Sequence, residues 1–257
     1  LALTLTPPGS DDYRTSESAM LPGSDAVVAA LRCLQPDLGG TEMLDSAFDA
    51  MIDAQITAGF DSPSAFREAF ARILGQSPGV FSAKPLLFAD WVASPLGPLI
   101  AVTDRTQLHL LEFLDRKAFP REFRKLQTYA KGEIGFGRTE VTDQIQGELD
   151  RFFAGTGGQF QTRLALHGSA FTRDVWRELL TIPPGETRSY SELARALGRP
   201  EAVRAVARAN GANQLALVVP CHRVIGADGS LTGYGGGLWR KQRLIELEQS
   251  YRQTPAA

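Results

Sequence analysis

After Pro85 the apolar pattern shortens to a period of two, broken by turn residues, and from Ser169 it returns to the three-and-four spacing of helices. One chain that carries both periods in blocks can be neither all-helical nor all-strand. The strand-like runs cover 88–93, 99–102 and 108–113. They are separated by Ser94-Pro95-Leu96-Gly97-Pro98 and by Asp104-Arg105-Thr106. Helices are expected at about 120–130 and 142–154, closed by Gly155-Thr156-Gly157-Gly158, with a further strand at 159–166. This unit shows no chemistry of its own. His109 and His167 have no carboxylate or cysteine beside them in sequence and read as structural or surface histidines.

Beyond it, Thr172 is expected to cap a helix that runs to 181 and stops at Pro183-Pro184-Gly185. Ser189-Tyr190-Ser191-Glu192 opens a second helix ending at Gly198, and Pro200 starts a third that runs to about 210. Two short helices joined by Gly198-Arg199-Pro200 make a helix-turn-helix, with Arg204 and Arg208 one turn apart on its second member. From residue 160 onward thirteen Lys and Arg face eight Asp and Glu, an excess of five positive charges in a chain of net charge −2. The rest therefore carries −7, and a polyanionic partner can be expected only at the C-terminal third.

Upstream, residues 1–24 are rich in Thr, Ser, Pro, Gly and Asp without periodicity and read as a disordered tail. Helical patterns follow at 25–34, 45–58 and 63–74, the last two joined by Gly59-Phe60-Asp61-Ser62. No apolar run approaches the roughly 20 residues of a membrane span. Two cysteines, Cys33 and Cys221, are too few for a disulfide framework, and neither has metal-ligand spacing around it. A soluble, reduced, cytoplasmic protein without a zinc site is the expectation, since the first twenty residues also lack a basic, then apolar, leader pattern.

The residues that carry chemistry are in Val218-Val219-Pro220-Cys221-His222-Arg223-Val224. A thiol becomes a nucleophile at neutral pH when a base takes its proton, and an imidazole follows it directly. Along a strand, adjacent side chains point to opposite faces, so cooperation needs either a sharp turn after Pro220 or a bridging water.

The stretch FTRDVWRELLTIPPGETRSYSELARALGRPEAVRAVARANGANQLALVVPCHRVIGADGSLTGYGGGLWRKQRLIELE, residues 171–248, resembles the C-terminal domain of O6-alkylguanine-DNA alkyltransferases. The Pro-Cys-His-Arg-Val core, the upstream Asn213, the Gly-Tyr-Gly-Gly-Gly loop and the terminal Leu-Glu agree in spacing. The resemblance implies an α+β fold. A small ribonuclease-H-like α/β domain would span 85–167, and a mostly helical, winged-helix-like alkyltransferase domain 168–252. In front, AGFDSPSAFREAFARILGQSPGVF (58–81) resembles a helix-turn-helix of AraC-type regulators, so 25–84 would be a degenerate AraC-like unit. With Glu42, Asp45, Asp49, Asp53, Asp61 and Glu68 against Arg67 and Arg72, that unit is acidic, unlike a working groove reader. The whole resembles Ada-type repair proteins without their four-cysteine zinc domain.

By this resemblance Cys221 accepts the alkyl group irreversibly, His222 takes the thiol proton through a water, Glu248 orients the imidazole, and Asn213 braces the cysteine turn. Tyr190 crowds the 3′ phosphate and donates a proton toward guanine N3, while Arg204 fills the gap a flipped base leaves. Ser189, Val224, Tyr234, Gly235 and Gly236 contact the DNA or the base. Some members carry a larger residue where Gly235 stands, so a pocket admitting bulkier alkyl groups is expected. The implied partner is double-stranded DNA containing O6-alkylguanine, bound through the minor groove by a monomer, with no cofactor, metal or membrane. O4-methylthymine is left open as a second lesion. The alternative is an Ada-like transcription regulator that uses its C-terminal domain as an alkylation sensor.

Overall fold

The computed structural model describes residues 85–131 and 133–251, together with positions 71 and 74. The expected tail at 1–24 and, apart from those two positions, the helix-turn-helix unit at 25–84 lie outside the described residues.

Strands β1 (Leu87–Val92), β2 (Leu99–Thr103) and β3 (Leu108–Phe113) form an antiparallel meander. A three-residue β4 (Ile134–Phe136), not foreseen from the sequence, pairs parallel with β1, giving the order β3-β2-β1-β4. Every residue of β2 and β3 is buried, which is why LIAVT and LHLLEF read as nearly continuous apolar runs. Helix α1 (Phe119–Tyr129) packs against β3, and α2 (Glu140–Phe153) against β1 and β2. Thr139 caps α2 through a reciprocal capping box with Thr142, so the helix begins two residues before the expected start. The segment 159–166 is not a ladder strand: it makes a single bridge, Leu108 to Leu164. The reason is Glu148, whose buried carboxylate accepts from the Gln161 and Thr162 amides and the Thr162 hydroxyl, replacing the partner strand.

The C-terminal half is largely helical: α3 (Ala170–Leu179), α4 (Tyr190–Ala196) and α5 (Val203–Gly211), the last entered through a 3-10 turn at Pro200–Ala202. Ser169, not Thr172, caps α3, by accepting from the Thr172 amide. Gly198, at φ +67, supplies the left-handed residue that ends α4. Trp176 is fully buried and donates its indole N–H to Ala209 O at 2.9 Å, fastening α3 to α5. Two-residue strands β5 (Arg188–Ser189) and β6 (Val224–Ile225) pair in parallel, and α6 (Leu238–Tyr251) ends the described chain.

One apolar cluster runs through both halves, from Val92 and Phe113 to Trp176 and Leu244. The free edge of β3 is the seam: Leu111 N donates to Gln214 O at 2.9 Å, and Ala216 N to Leu111 O at 2.7 Å. The turn that carries Cys221 therefore hangs from the sheet. The two histidines, read as structural or surface residues, are bonded to each other. His109 bonds Asp104 at 3.0 Å and His167 at 2.9 Å, because the tight Asp104 turn brings its carboxylate back over the strand. No helix among the described residues is long and apolar enough to cross a membrane.

Candidate active site

Between Leu215 and Arg223 the backbone folds into successive tight turns. Val219 N bonds Leu215 O, Cys221 N bonds Val219 O, and Arg223 N bonds Pro220 O at 3.0 Å. Leu217 sits at φ +70, a left-handed conformation that costs a branched residue on the order of 1 kcal/mol and is held by surrounding contacts. Cys221–Arg223 is a 3-10 turn, so the chain bends immediately after Pro220 and the alternation of a strand does not apply. Asn213 holds this bend from inside. Its Nδ2 donates to Val219 O at 2.8 Å and to Cys221 Sγ at 3.1 Å, while its Oδ1 accepts from Leu215 N at 3.0 Å.

Cys221 is only 7 % exposed, and burial pushes its thiol up, against the pull of the Asn213 hydrogen bond and the Arg116 and Lys241 charges. At rest it is a thiol that needs a base. His222, fully buried, bonds Glu248 Oε1 through Nε2 at 2.9 Å. A carboxylate only accepts, so Nε2 carries the proton and Nδ1 presents a bare lone pair. Among the described residues that Nδ1 has no hydrogen-bond partner. Its lone pair is free to accept a proton.

Glu248 also accepts from Arg223 Nε at 2.9 Å and Nη2 at 2.7 Å, and from the Gly185 amide at 3.1 Å. Burial would push this carboxyl up, but hydrogen bonds and charge from His222 and Arg223 outweigh it and hold it at about 2. With Arg223 balancing Glu248, His222 stays neutral: burial pushes its imidazole down further than Glu248 pulls it up. The folded pKa is thus depressed, while the unfolded chain takes up a proton near the ordinary value of about 6.5. Stability should fall as pH drops below that value, and the fall should be shallower in His222→Asn, read from urea midpoints between pH 7.5 and 5. Parallel profiles would show that His222 is already charged when folded.

Lys241, pushed down to about 8 by burial, donates to Val224 O and Thr232 O, both at 2.5 Å, tying the 232–237 loop to β6. The phenol of Tyr190, at the first position of α4, reaches Thr232 and Asn210 and lies beside Gly233. Tyr234, whose buried hydroxyl is unpartnered among the described residues, lines a pocket together with Cys221, Asn213 and Gly236. Ser189 serves as the α4 cap, and Val224 is fully buried in β6. Arg204 is exposed on α5, about two turns from the buried Asn210 end.

Five contributors were not singled out from the sequence: Arg223, Lys241, Asn210, Glu112 and Arg116. Arg223 lies within the Pro-Cys-His-Arg-Val core and could have been read as the countercharge of Glu248. Glu112 and Arg116 overturn the view that the strand-rich half brings no chemistry, for both line the pocket at Cys221. They are spaced i,i+4 and form a buried ion pair across the end of β3. Arg116 also donates to Asn213 O and Gly211 O, each at 2.8 Å. Burial drives the Glu112 carboxyl up to about 7 despite that arginine. The room left by the missing side chain of Gly235 is occupied: a Cβ there would lie 2.6 Å from Arg116 Nε.

Residues 170–250 match the family described as 6-O-methylguanine DNA methyltransferase, DNA binding domain. A methylated-DNA–protein-cysteine methyltransferase of Mycolicibacterium paratuberculosis is 54% identical over 134 residues, spanning 51% of this chain and 79% of the relative. The chain belongs to the methylated-DNA–protein-cysteine methyltransferase family. The Mycobacterium leprae methyltransferase is 45% identical over 157 residues, 61% of this chain and 88% of its own. Among solved structures, the Mycobacterium tuberculosis O6-methylguanine methyltransferase aligns with a TM-score of 0.58 at 41% identity, covering 66% of this chain and 96% of that one. The M. tuberculosis protein in complex with DNA aligns at 0.56 and 41% identity, covering 64% and 94%. The methyltransferase fold here is a mixed α/β arrangement with a four-stranded sheet.

Proposed function

We propose that this chain repairs DNA by moving the alkyl group of O6-alkylguanine onto Cys221, once per molecule. The thiolate sulfur attacks the alkyl carbon in line with the C–O6 bond. A sulfur–carbon bond forms, the C–O6 electron pair passes to O6, and the proton shed by the thiol is made good on the restored guanine. The observation that carries this reading is a buried thiol oriented by Asn213, followed in the chain by His222, whose Nδ1 is unpartnered among the described residues while Glu248, itself held by Arg223, fixes Nε2. A thioether is stable to hydrolysis, so turnover is not expected. Intact mass before and after exposure to duplex DNA containing O6-methylguanine tests it: one methyl per protein at saturation supports the reading, and multiple turnover or no gain overturns it.

The finer roles follow in the same reading. The target carbon is stacked within a duplex while the sulfur is buried, so the nucleotide has to rotate out. Tyr190 would press on the phosphate and protonate guanine N3, with Ser189 and Val224 lining the approach and Tyr234, Gly235 and Gly236 closing over the base. Arg204, charged and exposed on the helix of the basic half, suits insertion into the minor groove and the vacated stack. Arg204→Ala should slow transfer from duplex DNA by about tenfold or more, a loss of at least about 1.4 kcal/mol of flipping assistance, while transfer from the free base O6-methylguanine changes little. Equal loss on both would contradict the insertion role. The division into a ribonuclease-H-like domain at 85–167 and a winged-helix-like alkyltransferase domain at 168–252 belongs to the same proposal. It is supported by the β3-β2-β1-β4 order of the first part and the helix-rich second part.

A further inference from the structure

Two opposite charges from the strand-rich half stand in the wall of the space at Cys221, the Glu112 carboxylate of β3 and the Arg116 guanidinium just beyond its end. Their side chains are 3 % and 7 % exposed, and they are paired with each other. The space that they line with Cys221 and Asn213 is about 10 Å³, room for about one water. Bulk solvent is thus kept out, and charges in such a site act more strongly than they would in water.

Arg116 does more than balance Glu112. Its Nη1 donates to Asn213 O and its Nη2 to Gly211 O, each at 2.8 Å. The first carbonyl belongs to the residue whose side chain donates to Cys221 Sγ at 3.1 Å. The second belongs to the last residue of α5, so the cation also sits at the negative end of that helix. Glu112 is pinned in turn, accepting from the Phe113 amide at 3.0 Å. One path of bonds therefore runs from β3, through Arg116 and the Asn213 backbone, to the nucleophile. Charge acts along with it. Burial chiefly pushes the Cys221 thiol up; the Asn213 hydrogen bond opposes it, Glu112 adds to it, and Arg116 and Lys241 pull it down. The Tyr190 and Tyr234 phenols and the His222 imidazole are kept uncharged by burial. Glu112, driven up to about 7 by burial and further opposed by Glu122 of α1, carries its charge above that pH.

Building on the alkyl-transfer reading above, we propose that Glu112 and Arg116 are positioning residues for the nucleophile, acting through Asn213 and through their opposite charges to set how readily Cys221 ionises. Arg116 holds in place the donor that a thiolate needs and adds a countercharge. Glu112 opposes it and biases the resting sulfur toward the thiol. The C-terminal motif supplies the reacting groups, and the sheet in front of it tunes them.

The test is a pH titration of the full chain, read as ultraviolet thiolate absorbance with each protein's own Cys221→Ser form subtracted, so that Cys33 and the tyrosines cancel. Relative to wild type, Glu112→Gln should shift the Cys221 titration to lower pH and Arg116→Met to higher pH, each by about half a unit or more. Arg116→Lys, which keeps the charge, should restore most of the wild-type position. Structural disturbance alone would let water reach the sulfur and move both variants the same way, to lower pH. Shifts of one sign, or none, therefore overturn the proposal. If Arg116→Met shows no melting transition, it is combined with Glu112→Gln, which leaves no lone charge buried. The double variant should then titrate above Glu112→Gln, and an equal or lower position overturns the proposal. Single-turnover methyl transfer from a saturating O6-methylguanine duplex, read by intact mass, gives a second check. Arg116→Met should be slower by about tenfold, the cost of a misplaced nucleophile, with duplex affinity retained; an unchanged rate overturns the positioning role. No transfer by wild type would instead overturn the alkyl-transfer reading, while the titration would still decide what the pair does to Cys221.

Discussion

Cys221→Ser should bind lesion-bearing DNA and transfer nothing. The substitution keeps the shape of the turn, and a hydroxyl can still accept the Asn213 Nδ2 hydrogen that now reaches Sγ at 3.1 Å. Stability should stay within about 1 kcal/mol of wild type, as for a near-isosteric change. What disappears is a nucleophile that His222 can activate. The buried thiol is already pushed up, but a serine hydroxyl is far harder to ionise, and neutral imidazole is too weak a base to compensate. Mass spectrometry should therefore show no methylated protein at any time, while a mobility shift still reports binding. A methylated Cys221→Ser protein would place the acceptor elsewhere.

Glu248→Gln should be the most destabilising single change in the site. The carboxylate is 1 % exposed and serves His222, two nitrogens of Arg223 and the Gly185 amide. Removing its charge leaves the Arg223 cation buried and uncompensated, a loss of about 3–5 kcal/mol by analogy with other broken buried pairs. Gln presents one acceptor and one donor to a set of donors, so either the arginine or the imidazole loses its partner. The alkyl-transfer rate should drop as well, because the imidazole is no longer held with its lone pair free. The pH dependence has a definite sign. A carboxyl held at about 2, below its ordinary value near 4.5, stabilises the fold above 4.5, and that contribution is lost as pH falls through about 2. The difference in urea midpoint between wild type and Glu248→Gln should persist at pH 5 and narrow toward pH 2. A constant difference would mean that packing, not charge, is what the substitution removed.

How much of this could be read from the sequence depended on how local each feature is. Cys221, His222, Asn213 and Glu248 stand in a run of recognisable spacing, and the structure bonds Asn213 to Cys221 and Glu248 to His222. The long strands and helices were legible because each carries its own period: the stripe Val141, Ile145, Leu149 and Phe152 is visible without any partner. Elements of two or three residues, β4, β5 and β6, carry too few positions for a period and exist only through their pairing. The segment 159–166 failed in the opposite way. Its extended pattern is real, but its amides are taken by the Glu148 carboxylate, which no local pattern announces. Arg116 was out of reach for the same reason, since Glu112 and Arg116 look like an ordinary exposed charge pair until β3 is laid against the turn before Cys221.

That seam has a consequence for dividing the protein. The amides and carbonyls of Leu111, Gln214 and Ala216 are joined across the seam, and the apolar cluster passes through it without a gap. Neither half has a surface of its own there. A fragment cut near residue 168 would carry the whole recognisable motif yet leave its cysteine turn without an anchor, and the companion fragment would expose the edge of β3. Co-expressed, the two pieces should find each other and regain one shared melting transition, as complementing fragments of a single cooperative unit.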